Sequence, residues 1–296
     1  MSTLIQILQK VICSSVSDKQ QDSTLDEAVV VQKKILKYLI RRAKFTAFGE
    51  HYRFQEMIGK NDVASRFKKS VPIHTYRDMY VRWWYRLLNG ESYVTWPGKQ
   101  KYFLTKGLEQ EDGKKAIPVS RSIINTYCVA GRRFLSEFPE KDEEVVGSAD
   151  LELDFNKIYY GGSLAAIIAH HKPIKYHCCF RTLFLPDSGE LQNRFLITEI
   201  GWMGIRTKTL KDAYQLIVDN DLYYEFIPFN KNLPDRKGLQ SHMKDTLTLE
   251  DVENNKDYAV LLTNNSGAWR YFTCYIIRFI DKAKLVFTVT QKVKVS

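Results

Sequence analysis

Three histidines and two cysteines are the side chains in this chain best suited to bind a metal, and they stand close together: His170, His171, His177, Cys178 and Cys179. Zinc in proteins is bound tetrahedrally by such nitrogen and sulfur ligands. The segment from Lys175 to Phe180 is typical of a strand, however, and adjacent strand residues point to opposite faces, so one ion would rarely take both thiols. We therefore expect core or surface residues here and no metal site.

Two glycine-containing segments could bind phosphate or activate a nucleophile, and neither has the required spacing. Gly107 and Gly113 are separated by five residues, and no Ser or Thr follows Lys114-Lys115, so this segment is not a P-loop. The run from Gly161 to Ala165 lacks the final glycine of a nucleophile elbow. A helix N-cap is the better interpretation of Ser163, since a serine oxygen accepts hydrogen bonds from first-turn N–H groups.

The most specific pattern is Trp-Arg-Tyr-Phe-Thr-Cys-Tyr-Ile-Ile-Arg-Phe at residues 269–279. It resembles the Trp-Arg-Tyr-x-x-Gly-Asp-x-Ile-x-Phe strand of the auxin-responsive Gretchen Hagen family, which are acyl-acid amido synthetases of the adenylate-forming class. In that family the glycine lets the chain approach ATP, and the aspartate accepts both ribose hydroxyls. Cys274 and Tyr275 stand at those two positions here. The resemblance therefore predicts that the bulky Tyr275 fills the nucleotide cleft.

A second segment resembles the family's phosphate loop only in part. Residues Lys115 to Ser120 resemble the Lys-x-Ile-Pro-Val-Ser that follows that loop, and of the loop itself Thr105 and Gly107 remain, with Lys106 between them. Three acidic side chains follow Gly107. A carboxylate about 4 Å from a phosphate charge costs roughly 4 kcal/mol at an effective dielectric near 20. A solvated surface loop is therefore the favoured interpretation.

Two further positions complete the site that the resemblance implies. Ile197 to Gly201 resembles the family's Ala-Ser-Glu-Gly motif, which implies that Glu199 helps to organise the metal and phosphates and that Thr198 lines the same site. Lys292 lies in a segment similar to the Gly-Arg-x-Lys hinge, beyond which the family has a mobile C-terminal domain that we expect to be absent. An active chain would use ATP and Mg²⁺ to activate a small carboxylic acid and transfer the acyl group to an amine; otherwise no cofactor is expected.

Shorter motifs extend the resemblance along most of the chain. A Thr-x-x-Gly turn, a Val-Pro-Ile-x-x-Tyr segment, a Gly-Glu pair and Trp-Pro-Gly occur in the family's order, at Thr46–Gly49, Val71–Tyr76, Gly90-Glu91 and Trp96–Gly98. Between residues 187 and 199 the chain is much shorter than the family, which predicts an internal deletion.

The hydrophobic pattern predicts the elements that must position these residues. Thr24 and Glu27 have the spacing of a capping box, and a helix with a buried apolar stripe and a solvated basic face follows. A second helix carries Met79, Trp83, Trp84 and Leu87. Short strands and helices then alternate, which favours an α/β layer with some parallel pairing. From residue 222 onward, four strand-like runs separated by tight turns predict an antiparallel unit.

Composition limits the partners and the compartment. There are 44 Lys and Arg against 34 Asp and Glu, a net charge of +10 that could attract anions. The charges are scattered, no nucleic-acid module is visible, and no apolar run approaches the roughly 20 residues of a membrane span. We expect no nucleic-acid partner and no membrane partner. Five cysteines without a disulfide pattern favour the reducing cytoplasm.

The predicted fold is one α/β domain over residues 1–296, a shortened adenylate-forming large domain with an α/β part at 1–215 and an antiparallel β part at 216–296. All three nucleotide motifs depart from the family pattern together. We therefore predict that the chain is a relative of the acyl-acid amido synthetases that has weak or no catalytic activity. The alternative is a non-catalytic interaction module, or a decayed gene product, whose nucleotide cleft is filled.

Overall fold

The structure is a computed structural model, and it describes residues 24–59, 62–106, 115–124, 126, 151–153, 159–161, 195–206, 210, 212–229 and 236–293. The chain divides into two compact units, one formed by Met1–Asp22 with Gln100–Arg194 and the other by Ser23–Lys99 with Phe195–Ser296. The histidines and cysteines of residues 170–179, Ser163, Gly107 and the side chain of Lys106 lie outside the described residues.

Helix α1 (Leu25–Ala43) begins where the sequence predicts. The Thr24 hydroxyl accepts a hydrogen bond from the Glu27 N–H, and the Glu27 carboxylate accepts one from the Thr24 N–H. This capping box satisfies two backbone donors that a helix N-terminus otherwise leaves unpaired. Ile35 and Leu39 of the predicted stripe are buried.

Five short helices follow: α2 (Ala47–His51), α3 (Phe54–Met57), α4 (Val63–Ser70), α5 (Tyr76–Met79) and α6 (Tyr85–Leu88), with a π-helical segment (Tyr80–Trp84) joining α5 to α6. The four apolar residues predicted for the second helix are all buried. The Thr-x-x-Gly turn is the start of α2. There the Thr46 hydroxyl accepts from the Gly49 N–H, and a Cβ on Gly49 would lie 2.1 Å from the Ala43 carbonyl oxygen, so only glycine fits.

The first unit contains a four-stranded sheet with the strand order β2-β1-β4-β3. Its strands are β1 (Tyr102–Lys106), β2 (Lys115–Val119), β3 (Leu151–Leu153) and β4 (Tyr159–Gly161). Strand β1 pairs antiparallel with β2 and parallel with β4, which confirms the predicted mixed pairing. Gly161, the first residue of the segment compared above with a nucleophile elbow, is the last residue of β4.

The second unit contains a seven-stranded antiparallel sheet with the strand order β5-β6-β7-β11-β10-β9-β8. The strands are β5 (Phe195–Thr198), β6 (Gly201–Ile205), β7 (Tyr214–Leu216), β8 (Leu222–Pro228), β9 (Asp257–Asn264), β10 (Tyr271–Asp281) and β11 (Val286–Lys292), and helix α7 (Arg236–Ser241) lies between β8 and β9 in the chain. From residue 222 onward the sheet has four strands, β8 to β11, as the sequence predicts.

The antiparallel sheet begins earlier in the chain than the sequence pattern indicates. The expected boundary between residues 215 and 216 falls inside β7, because β5, β6 and β7 already belong to this sheet. The segment from Phe195 to Ile200, which reads as one strand, is instead a strand and a turn. Thr198 pairs with Gly201, so Glu199 and Ile200 form a two-residue hairpin loop.

Helix α1 packs beside β8 at the edge of the sheet, and its Gln32 side chain forms hydrogen bonds with backbone groups of β8 and of the preceding turn. The Gln32 amide nitrogen donates to the carbonyl oxygens of Val218 and Leu222, at 2.9 and 2.8 Å, and its oxygen accepts from the Tyr224 N–H. An uncovered edge would leave these groups open to pairing with another chain. Over the described residues, no helix is long and apolar enough to cross a membrane.

Candidate functional site

The Trp-Arg-Tyr segment begins with a residue that packs the helices against the sheet. Trp269 is fully buried, and its indole N–H donates to the Thr95 carbonyl oxygen at 3.0 Å. Its ring stacks on Phe48, with centroids 5.4 Å apart, and meets the ring of Phe54 edge to face at 4.8 Å. Trp269 is therefore a core residue that no ligand could reach.

Arg270 has no exposed side-chain surface, and all five of its side-chain N–H groups have acceptors. These acceptors are a Glu225 carboxylate oxygen, the carbonyl oxygens of Lys68, Val71 and Met243, and the Thr246 hydroxyl. The Thr246 hydroxyl in turn donates to the other carboxylate oxygen of Glu225 at 2.7 Å. A guanidinium carries five donors in a rigid fork, so Arg270 is fully occupied in joining three segments of the fold.

Tyr271 holds the carboxylate that the sequence singles out. Its hydroxyl donates to Glu199 Oε2 at 2.7 Å, and its ring stacks on Trp84 with centroids 5.9 Å apart. Burial, and then the neighbouring Glu199 carboxylate, raise the pKa of Tyr271 well above its ordinary value of 10.0. The phenol therefore stays protonated and remains a donor to Glu199.

The hairpin loop that carries Glu199 is closed by Thr198. The Thr198 hydroxyl donates to the Gly201 carbonyl oxygen at 2.8 Å and accepts from the Ile200 N–H at 3.3 Å. Its hydroxyl is thus used within the turn. Thr198 and Glu199 are consecutive in the chain, and the role toward a nucleotide that the resemblance assigns to them stays a prediction.

Strand β10 contains a bulge at the two positions where the family motif has glycine and aspartate. Phe272 pairs with Leu261 and Ile276 with Ala259, so three residues of β10 stand opposite one residue of β9. Within this bulge Cys274 has a φ of 66°, in the left-handed region. A side chain there brings Cβ close to the following carbonyl oxygen, whereas glycine has no such contact. The chain thus keeps a backbone suited to glycine.

We expect Cys274→Gly to raise the free energy of unfolding by about 1 kcal/mol, because it relieves this backbone strain. Urea denaturation would measure the change. Cys274→Ala is the matched control, since it removes the thiol but keeps Cβ. Equal stability of the glycine and alanine variants would contradict a backbone origin.

Tyr275 and Lys292 are neighbours on adjacent strands. They are register partners in the β10–β11 pair, and the Lys292 ammonium lies 4.9 Å from the centroid of the Tyr275 ring. This is a cation–π contact. A carboxylate can accept both hydroxyls of a ribose, and a phenol beneath an ammonium supplies no such acceptor pair. The residues present therefore do not fit the nucleotide contact that the resemblance assigns to this position.

The phosphate-loop residues belong to the other unit. Thr105 and Lys106 end β1, where they pair with Ala116 and Lys115 of β2. The predicted site residues thus fall into two groups: Thr105 and Lys106 in one unit, and Thr198, Glu199, Tyr275 and Lys292 in the other. Nucleotide binding by either group, and by Gly107, stays a prediction. Searching the described residues for three or more His, Cys, Asp or Glu that could hold a metal finds no such group.

Sequence reasoning missed one buried titratable group beside the Trp-Arg-Tyr segment. His74 is 2% exposed, and its Nδ1 lies 2.8 Å from the Trp269 carbonyl oxygen, to which it donates. Burial lowers its pKa from 6.5 to about 4, although that hydrogen bond acts in the opposite direction. Histidine occurs both in cores and on surfaces, so the residue type alone does not mark His74 as buried. The flanking apolar residues are the one available signal.

Tyr271 was also missed as the partner of Glu199. The two residues stand 72 positions apart in the chain. Their contact arises because the β5–β6 loop and the start of β10 approach each other, which periodicity along one strand does not reveal.

Comparison with known proteins accounts for this architecture. A model of the GH3 family N-terminal domain matches residues 18–157, and a model of the GH3 family central domain matches residues 215–284. No curated protein gives a significant sequence match.

Two solved structures share the fold. One is described as "AtGH3.15 acyl acid amido synthetase in complex with 2,4-DB", with 14% identity and a TM-score of 0.65, over 97% of this chain and 71% of that one. The other, "GH3.15 acyl acid amido synthetase", has 14% identity and a TM-score of 0.62, over 90% of this chain and 68% of that one. They confirm the predicted mixed α/β, adenylate-forming fold. With both family models covering well over half of its residues, the chain belongs to the GH3 (Gretchen Hagen) family.

Proposed function

We propose that this chain is a relative of the ATP-dependent acyl-acid amido synthetases that keeps their scaffold but activates carboxylic acids with ATP weakly or not at all. The observation that carries this proposal is the Tyr275–Lys292 pair, in which an ammonium lies 4.9 Å from the ring centroid of a tyrosine that replaces an aspartate. Two charged hydrogen bonds to ribose, each worth roughly 1.5–3 kcal/mol, would be missing. We also propose that the protein acts in the cytoplasm, because its five cysteines show no disulfide pattern.

A second candidate function is retained amido synthetase activity. It is favoured by the Glu199 carboxylate, which the Tyr271 hydroxyl holds at 2.7 Å in the position where the family motif has its glutamate. An active chain would convert a small carboxylic acid and ATP, with Mg²⁺, to an acyl adenylate and pass the acyl group to an amine.

Two measurements on the full chain distinguish these candidates. Calorimetric titration with ATP and Mg²⁺ is expected to give no binding in the micromolar range, and pyrophosphate exchange is expected to stay at the blank rate for a panel of aromatic and aliphatic acids. Micromolar affinity, or acid-dependent exchange, would establish the second candidate and reject the first.

A restoring variant tests the physical cause. Cys274→Gly with Tyr275→Asp would replace the ring by a carboxylate and relieve the left-handed backbone. We expect ATP affinity to rise by roughly 10-fold or more, as one or two charged hydrogen bonds predict. The matched control is Cys274→Gly with Tyr275→Ala, which opens the same space without a carboxylate. Equal affinity of both variants would show that the ring is only an obstruction.

A further inference from the structure

The exposed face of helix α1 carries cations without an acidic partner in the part of the chain that the structure describes. Lys34, Lys37 and Arg41 recur at steps of three and four residues, so they lie along one face of the helix. Arg42 is exposed beside them. The opposite face of the helix is buried through Leu36 and the apolar stripe.

Two aromatic rings are exposed among these cations. Phe45 is 67% exposed and Tyr38 is 40% exposed. Tyr38 lies on α1, and Phe45 follows the last residue of the helix, Ala43, by two positions. The Lys44 ammonium lies 4.5 Å from the Phe45 ring centroid. We call Lys34, Lys37, Tyr38, Arg41, Arg42 and Phe45 the α1 surface.

The helix dipole and the usual preference of charged side chains for water explain only some of the residues of the α1 surface. Arg41 and Arg42 lie in the last turn of α1, where cations interact favourably with the helix dipole. Lys34 and Lys37 lie outside that turn, so the dipole does not explain them. Neither charge nor dipole explains a phenylalanine that leaves two thirds of its surface in water.

We propose that the α1 surface binds the headgroup region of an anionic lipid membrane, with α1 lying in the plane of the interface. Lysine and arginine side chains near such a surface each strengthen binding by roughly fivefold at low ionic strength. Exposed aromatic rings beside them enter the boundary between headgroups and acyl chains. This proposal replaces two expectations from the sequence, a wholly solvated basic face on the helix and the absence of a membrane partner, and it is independent of the proposed function.

The geometry favours a membrane over a nucleic acid. Proteins that bind single strands combine a basic groove with open ring faces on which bases stack. The α1 surface is the convex side of a helix, and the Lys44 ammonium covers one face of the Phe45 ring. A planar interface can contact the whole length of such a surface, whereas a stacked base has no open platform there.

The test is co-sedimentation of the full chain with vesicles of phosphatidylcholine alone or with about 30 mol% phosphatidylserine. We expect binding only to the anionic vesicles and loss of most of it when NaCl rises from about 50 mM to about 500 mM. The triple variant Lys34→Glu, Lys37→Glu, Arg41→Glu is expected to bind on the order of 100-fold more weakly. Phe45→Ser is expected to weaken binding severalfold at either salt concentration.

Matched variants separate this surface from net charge. Arg66→Glu, Lys69→Glu and Lys244→Glu together make the same change in charge at other exposed positions, and Tyr85→Ser removes another exposed ring, one that is 42% exposed. Both controls are expected to bind nearly as the parent chain does, with circular dichroism confirming that every variant is folded. Equal losses in the two triple variants would overturn the proposal. So would equal binding to both vesicle types, or tighter binding to a single-stranded RNA oligonucleotide than to anionic vesicles.

Discussion

Arg270→Met is expected to lower the free energy of unfolding by about 3–5 kcal/mol, because it leaves a buried carboxylate without its charged partner. Glu225 is 3% exposed and lies 3.0 Å from the Arg270 Nε. The substitution also removes the donors to three backbone carbonyl oxygens, on Lys68, Val71 and Met243. Urea denaturation followed by circular dichroism would measure the loss.

The same strand supplies a control in a wet environment. Arg278 of β10 forms a two-point ion pair with Asp257, at 2.7 and 2.8 Å, and its side chain is 44% exposed. Arg278→Met is expected to lower the free energy of unfolding only slightly. In an exposed ion pair, water weakens the attraction between the charges, and ordering the two side chains costs conformational entropy. Similar losses at positions 270 and 278 would contradict the argument from burial.

A double variant separates the carboxylate from the packing. If the unpaired charge causes most of the loss, then Arg270→Met with Glu225→Leu is more stable than Arg270→Met alone, since the double variant buries no charge. Losses that simply add would show that Arg270 acts through its carbonyl contacts instead.

Acidification is expected to destabilise this protein through His74. The pKa of His74 is about 4 in the folded chain against an ordinary 6.5. Between these values the unfolded chain binds more protons than the folded chain, so the free energy of unfolding falls as the pH drops from 6.5 toward 4. Above pH 6.5 the neutral His74 makes its full contribution to stability. The loss over this window amounts to about 3 kcal/mol. Denaturation at a series of pH values would measure it.

The variant His74→Asn isolates this contribution from that of the carboxylates. An asparagine amide can still donate toward the Trp269 carbonyl oxygen, but it does not titrate. The charged groups that face His74, namely Asp78, Arg82 and Arg270, are unchanged in the variant. We expect the difference in stability between parent and variant to shrink steadily from pH 6.5 to pH 4. A difference that is constant over this range would mean that His74 is not the titrating group.

The parts of the fold that the sequence predicted well depend on patterns within a few neighbouring residues. The capping box at Thr24 and the strand β9 follow from spacing and propensity within a few residues. The hairpin loop at Glu199 could not be predicted in this way, because its two residues, Glu199 and Ile200, are not among those that favour tight turns. Strand β7 has three residues, too few for an alternating pattern to be visible.

The contacts around the Trp-Arg-Tyr segment were beyond sequence reasoning for a different reason. The acceptors of Arg270 include the carbonyl oxygen of Lys68, 202 positions away in the chain. Backbone carbonyls occur at every residue, so no letter identifies which of them a buried arginine will meet. The resemblance pointed correctly to the segment, while its packing role became visible only in three dimensions.

The bonding of Trp269, Arg270 and Tyr271 has a consequence for how this lineage is recognised. Each of the three side chains secures a different part of the architecture: the carbonyl of Thr95, the carboxylate of Glu225 and the carboxylate of Glu199. A signature built on these three letters records ancestry and foldability, whatever has happened to the chemistry. If the proposed function is right, the residues at positions 274 and 275 are the ones that would distinguish active ligases from inactive relatives.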